Sequence, residues 1–247
     1  MTIGVVSDVH LEYLSPDEKH AFLEFLERSG AYDSLVINGD LFDAPPDPHR
    51  RAFPENIDVA EKLVDIARAG VPTTYVVGNH DIAMSALVMR IEKLNLNIAY
   101  PSHETTVGTA RVFFEHGHAY DPFYASHLYD VARLIEEVSG FDPGEAAVRA
   151  IERLLEPFRA SQRTELGVPR AALKLWEEAA LRRIEKGYDV VMMGHTHEPQ
   201  IVEYPGGVYV NSGSWLENRT YVEMTEDTVR LMAWRRNRPL GEARLAR

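Results

Sequence analysis

The chain has no cysteine among its 247 residues. Disulfides, thiolate nucleophiles and every Cys-ligated zinc or iron–sulfur site are therefore excluded. Any metal must be held by His, Asp, Glu, Asn or backbone oxygen. No run approaches the roughly 20 consecutive apolar residues of a membrane span. The start, Met1–Asp8, has neither a cationic stretch nor a long apolar one, which predicts no signal peptide and a cytoplasmic protein, with contact at a membrane surface left open. Basic charge is also short: 26 Lys and Arg against 38 Asp and Glu give −12. Phosphate backbones attract basic surfaces, so this balance argues against a general nucleic-acid binder. What remains is the ordinary mix of a folded globular protein, 45% hydrophobic and 26% charged, long enough for one α/β domain with a modest insertion.

Short apolar runs punctuate the chain at Ile3–Val6, Leu35–Ile37, Thr74–Val77, Val112–Phe114 and Val190–Met193. Each is too short for a helix and reads as a buried strand. Helices alternate with the early ones. Ser15-Pro16-Asp17-Glu18 spells a capping box, Phe22, Phe25 and Leu26 share the face behind it, and Gly30 ends the helix. A second helix is expected from Ile57 to Ala69, with Ala60, Leu63, Val64 and Ala67 inward. From Asp121 to Tyr188 the pattern turns helical, with stripes at Val131–Val138, Ala147–Leu155 and Leu173–Ile184. That stretch, 121–188, is expected to be a helical insertion in a single domain of residues 1–247, able to cap a substrate. Phe123, Tyr124, Tyr129 and Trp176 would form its own small core more readily than a substrate lining. Strands return at Val208–Val210, Thr220–Met224 and Val229–Trp234. The terminal arginines (230, 235, 236, 238, 244, 247) read as a solvated tail, or more sharply as a landing site for an anion.

The five leading strands each run directly into a polar segment: Ser7-Asp8-Val9-His10, Asn38-Gly39-Asp40, Gly78-Asn79-His80-Asp81, Glu115-His116-Gly117-His118 and Gly194-His195-Thr196-His197. In α/β sheets functional groups gather beyond the carboxyl ends of strands, so these segments are expected at one place. They hold six of the ten histidines. Hard aspartate oxygen mixed with imidazole nitrogen suits Mn²⁺, Fe, Zn²⁺, Co²⁺ or Ni²⁺ better than Mg²⁺ or Ca²⁺. Asp8, His10, Asp40, Asn79, His80, His116, His118, His195 and His197 exceed the needs of one tetrahedral ion. Two ions are the natural count, with Asp40 the candidate bridge.

Through these motifs the sequence resembles the calcineurin-like metallophosphoesterase superfamily over residues 1–120 and 188–234. The resemblance implies an α/β fold of the α+β kind, a four-layer αββα sandwich around a dinuclear metal centre. It implies Asp8, His10 and His197 as ligands of one metal, Asn79, His116 and His195 of the other, and Asp40 between them, with Mn²⁺ expected first. His80 matches the catalytic histidine beside the leaving group, with Asp81 expected to orient it. Asn211-Ser212-Gly213-Ser214 is similar to a family segment near the site. Within the superfamily the layout is similar to bacterial UDP-diacylglucosamine pyrophosphohydrolases. The chain departs from them at His80, where arginine is typical, and at His118, where aspartate is usual.

The reaction expected is hydrolysis of a phosphomonoester, phosphodiester or pyrophosphate bond by a bridging hydroxide whose proton two cations have made easy to lose. His80 would serve the leaving oxygen. His118 is expected at the substrate or on the polar rim. Arg50 or Arg51, in the loop Asp43–Pro54, could bind a second phosphate. The substrate would be a small molecule or a lipid head group. The alternatives are a nuclease acting on DNA or RNA ends and a non-catalytic metal-binding scaffold.

Overall fold

The computed structural model describes residues 1–43, 56–87, 89–121, 170–236 and 238–245. The loop carrying Arg50 and Arg51 lies outside the described residues, as do the first two expected helical stripes of the insertion and Phe123, Tyr124 and Tyr129. Thirteen strands lie among the described residues: β1 (Thr2–Val6), β2 (Ser34–Asn38), β3 (Thr73–Val76), β4 (Met89–Ile91), β5 (Leu96–Ala99), β6 (Ser102–Val107), β7 (Ala110–Glu115), β8 (Val190–Met193), β9 (Gln200–Tyr204), β10 (Gly207–Asn211), β11 (Thr220–Thr225), β12 (Thr228–Ala233) and β13 (Gly241–Arg244). They form two sheets. The larger runs β13-β12-β11-β1-β2-β3-β5-β4 and the smaller β6-β7-β8-β10-β9. At the centre of the larger sheet, β1, β2, β3 and β5 are parallel. In the smaller sheet β7, β8 and β10 are parallel.

Side-chain alternation builds the layers. Strand β8 sends Val190 and Met192 into the space between the sheets and Val191 and Met193 to the outside. Strand β2 sends Val36 between the sheets and Leu35 and Ile37 toward the helices. The helix Pro16–Ser29 opens with the expected capping box at Ser15 and Glu18. It buries Phe22, Phe25 and Leu26, and with the helix Ile57–Arg68 it covers the outer face of the larger sheet. The helix Arg170–Ile184 covers the outer face of the smaller one through Trp176, Ala179, Ala180 and Ile184. The order is helix, sheet, sheet, helix, the expected four-layer sandwich.

Three expectations need correction. The helix Ile57–Arg68 buries Val59, Ile66 and Ala67, with Leu63 packed beside them, and not Ala60 and Val64. Val59 and Ile66 are seven residues apart, two turns along one face. Trp176 belongs to the layer on the smaller sheet, against Phe113 and Tyr209. The arginine-bearing terminus is part of the sheet and not a tail, because β12 and β13 extend the larger sheet, while its described arginines are solvated as expected. Arg230 sits opposite Glu242 in the ladder and donates to it at 2.8 Å, and Arg235 donates to Glu24 at 2.8 Å.

Candidate metal centre

Each of the five motifs leaves the carboxyl end of a parallel strand, and the two sheets aim these ends at one another. Backbone shape does much of the presenting. Asp8, His10, Asp40, His195 and His197 all adopt left-handed φ, between 48° and 66°, a conformation costly for residues with a Cβ. Close approach explains two glycines. A Cβ at Gly78 would overlap the Asp40 carboxylate, and one at Gly194 would overlap that of Asp8.

Asp8 and Asp40 are fully buried. Asp8, His10 and His197 offer ligand atoms all within 4.8 Å of one another, as do Asp40, His116 and His195, and also His10, Asp40 and His80. Asp40 and His10 each appear in two of these groups. Asn79 reaches the cluster through His195, its Oδ1 2.9 Å from Nδ1. Eight of the nine residues expected at one place therefore lie together.

The imidazoles are held from behind. His116 Nδ1 donates to the Asn38 carbonyl at 2.9 Å, His10 Nδ1 faces Asp43 at 3.0 Å, and His197 Nδ1 faces Glu217 at 2.7 Å. With its proton on that side, each ring turns an Nε2 lone pair toward the two carboxylates. His116 Nε2 makes no hydrogen bond although Asp40 is 3.0 Å away. His197 Nε2 lies 3.2 Å from Asp8 and 3.4 Å from His10 Nε2. Nitrogens that, in the neutral rings, turn lone pairs toward buried carboxylates fit a bound cation. His195 is turned the other way, with Nε2 3.0 Å from Asp121 and Nδ1 inward. Its ring stacks on Trp176, with centroids 5.9 Å apart, and the Trp176 indole N–H donates to the Gly117 carbonyl at 2.8 Å.

Proton affinities report the same charge demand. Burial would raise Asp40, yet His116 and His80 hold it well below the usual carboxylate range. Burial would lower His116 and His197, yet Asp40 and Asp8 lift the first to about 10, and Asp8 and Glu217 lift the second to about 10. Protons here occupy the place of a larger positive charge.

His80 is paired, but not as expected. Its Nδ1 meets Asp43, which is also the partner of His10, and its backbone N–H donates to Asp40 at 2.9 Å. Burial opposes protonation, and Asp40 together with Asp43 overcomes it, so its pKa is raised. Asp81, expected to orient His80, accepts instead from Leu41 N at 2.9 Å, Gly78 N at 2.6 Å and the Tyr75 hydroxyl. Successive residues on the tight turn point to opposite sides, so Asp81 ties the β2 and β3 loops together from beneath. Burial and Asp40 raise it to about 6. His118 is not on the rim. It is buried beside His116 and His195, its ring parallel to Tyr100, and burial with its imidazole neighbours lowers it to about 3.

Asn211 Nδ2 donates to the Gly194 carbonyl at 2.7 Å, and Ser212 meets Ser7 at 2.7 Å, so the segment after β10 braces the site. Sequence reasoning missed Asp43, Asp121 and Glu217 as histidine partners. Asp43 and Asp121 each lie three residues past a motif residue, Asp40 and His118. Glu217 is the fourth residue of Ser214-Trp215-Leu216-Glu217, which has the spelling of a helix start.

The sequence profile for calcineurin-like phosphoesterases matches residues 1–199. A UDP-2,3-diacylglucosamine hydrolase of Psychromonas ingrahamii is 24% identical over 245 residues, 92% of this chain and 95% of that one. The enzyme of that name in Stenotrophomonas maltophilia is 27% identical over 239 residues, 88% and 92% of the two chains. Among solved structures, the E. coli phosphoesterase YfcE superposes over the whole of both chains with TM-score 0.55 at 18% identity. Vacuolar protein sorting 29 of Cryptosporidium parvum gives TM-score 0.51 at 13% identity, over 100% and 98% of the two chains. These last two likenesses concern the fold alone. The chain belongs to the calcineurin-like phosphoesterase family, as a hydrolase of phosphoester or pyrophosphate bonds.

Proposed function

We propose that the chain hydrolyses the phosphoester or pyrophosphate bond of a small molecule or lipid head group with two divalent transition-metal ions, Mn²⁺ first among them. The observation that carries this reading is the pair of buried carboxylates, Asp8 and Asp40, faced by imidazoles whose outer nitrogens are already engaged. Asp8, His10 and His197 would hold one ion, Asn79, His116 and His195 the other, and Asp40 both. What such a pair supplies is activation of water near neutral pH and neutralisation of phosphoryl charge.

The chain's own groups do the rest. His80 keeps a proton because Asp40 and Asp43 favour its charged form. With Nδ1 committed to Asp43, Nε2 serves the leaving oxygen. Asp43 fixes that ring and His10 together, so one carboxylate aligns the proton donor with a metal ligand. Asp81 holds the two loops that carry Asp40 and His80 at a fixed spacing. The relatives named for UDP-2,3-diacylglucosamine make a nucleotide-linked lipid sugar the first substrate class to try.

The test is hydrolysis of p-nitrophenyl phosphate, bis-p-nitrophenyl phosphate and a UDP-sugar by metal-stripped protein with Mn²⁺, Zn²⁺, Fe²⁺, Co²⁺ or Ni²⁺ restored, beside Asp40→Asn. Metal-dependent turnover that the variant lacks is expected. Turnover indifferent to metal, or undiminished in Asp40→Asn, would refute the proposal.

A further inference from the structure

One turn of helix outside the five motifs, and beyond the residues matched by the family profile, grips two of the proposed ligands. The helix Trp215–Asn218 is capped by Ser214, whose hydroxyl donates to the Asp8 carbonyl at 2.9 Å. Trp215 N donates to the Ser7 carbonyl at 3.2 Å, and Leu216 N to that of Asp8 at 3.2 Å. Asn218 Nδ2 donates to the His197 carbonyl at 3.1 Å. Glu217 Oε1 stands 2.7 Å from His197 Nδ1. The turn thus fixes the backbone of Asp8 and both backbone and ring of His197, two residues from opposite sheets with left-handed φ.

We infer that Glu217 is a positioning residue: its carboxylate accepts a hydrogen bond from His197 Nδ1–H and so keeps the Nε2 lone pair aimed at the ion site shared with Asp8 and His10. The inference rests on the two-ion reading above. The physical argument is tautomeric. A neutral imidazole carries one N–H, and an acceptor on one nitrogen leaves the other to bind a cation. Without Glu217 the ring can place its proton on Nε2, where Asp8 Oδ1 at 3.2 Å offers a hydrogen bond in its place. The ring would then spend its inward nitrogen on that bond and not on an ion. Glu217 is well suited to a clean test, since its side chain is 53% exposed and fills no part of the core.

The experiment compares wild type with Glu217→Ala and Glu217→Gln in two measurements. Mn²⁺ titration against a competing chelator counts ions and affinities. Imidazole ¹H–¹⁵N spectra of the metal-free protein, recorded above the pH at which His197 gives up its second proton, read the tautomer of the neutral ring. Glu217→Ala is expected to bind one Mn²⁺ as wild type does and the other about 10–100-fold more weakly, with the His197 proton moved off Nδ1. Glu217→Gln, whose amide oxygen still accepts, is expected to stay near wild type in both. Unchanged binding of both ions by Glu217→Ala, an unchanged tautomer, or an equal loss in Glu217→Gln would overturn the inference. Wild-type protein that takes up no Mn²⁺ would overturn the two-ion reading and the effect on affinity with it, while the metal-free spectra would still decide whether Glu217 sets the tautomer.

Discussion

The two sheets make unequal contributions to the site. The larger one supplies the two carboxylates proposed as ligands, Asp8 and Asp40, with His10, Asn79 and His80 beside them; the smaller one supplies imidazole, through His116, His118, His195 and His197, with Asp121 behind His195. The carboxylate ligands come from one layer and most of the imidazole from the other. Neither layer holds a complete ligand set, so the centre exists only where the packed interface sets the sheets at one separation. Its geometry is therefore a property of the apolar core between them as much as of the ligands.

Breaking the comparison at its chemical side should have the largest effect. His80→Asn is expected to lower turnover by about 10²–10⁴-fold while both ions remain bound, as steady-state rates beside metal analysis will show. At the mechanical side, Phe114→Ala, buried between the sheets, should cost about 3–5 kcal/mol and weaken metal binding as well. Leu26→Ala, on the helix-covered face, should cost about 2–5 kcal/mol with metal affinity intact. Denaturant curves paired with Mn²⁺ titrations compare the two, and equal metal affinity in both would end the argument from sheet separation.

Asp43→Asn should lower turnover about 10–100-fold and shift the basic limb of the kcat/KM profile to lower pH, since His80 would lose a group that favours its charged form. Asp81→Asn should lower stability and leave that limb in place. His118 tests the imidazole side alone. Its ordinary value is 6.5 and burial lowers it to about 3, so the unfolded chain takes up a proton that the native state refuses. Stability should fall as pH drops through that window, and His118→Phe should flatten the fall in urea midpoints measured at pH 7 and 4.5. The smallest effect belongs to the far edge, where Glu242→Gln removes an exposed partner of Arg230 and should cost less than about 1 kcal/mol with activity unchanged.

The central strands were legible in the sequence because each is a short, mostly apolar run, buried on both faces, that leads directly into a polar segment. The strands missed, β4, β5, β6, β9 and β13, lie toward sheet margins, and those whose burial is described are half-exposed. Ser102–Val107 and Gln200–Tyr204 mix polar and apolar residues with no run to announce them. The candidate site divides likewise. Residues converging from strand ends could be read, since strand direction alone sends them to one end of the sheets. Their supporting carboxylates could not, because which of two nearby acids reaches a ring depends on backbone turns. Asp81 adjoins His80 in sequence yet faces away, while Asp43 arrives from another loop. Glu217 comes from a helix whose start is spelled in the sequence but whose reach to His197 is not.

The left-handed backbone shared by Asp8, His10, Asp40, His195 and His197 has a consequence for the chain's evolution. Glycine would adopt those angles without penalty, and it would also remove buried charge from the two aspartates. A chain drifting free of selection for hydrolysis would find that abandoning the centre firms up its fold. Descendants that keep this architecture while losing the reaction should then be easy to reach, and active ones should be those in which the reaction itself is continuously defended.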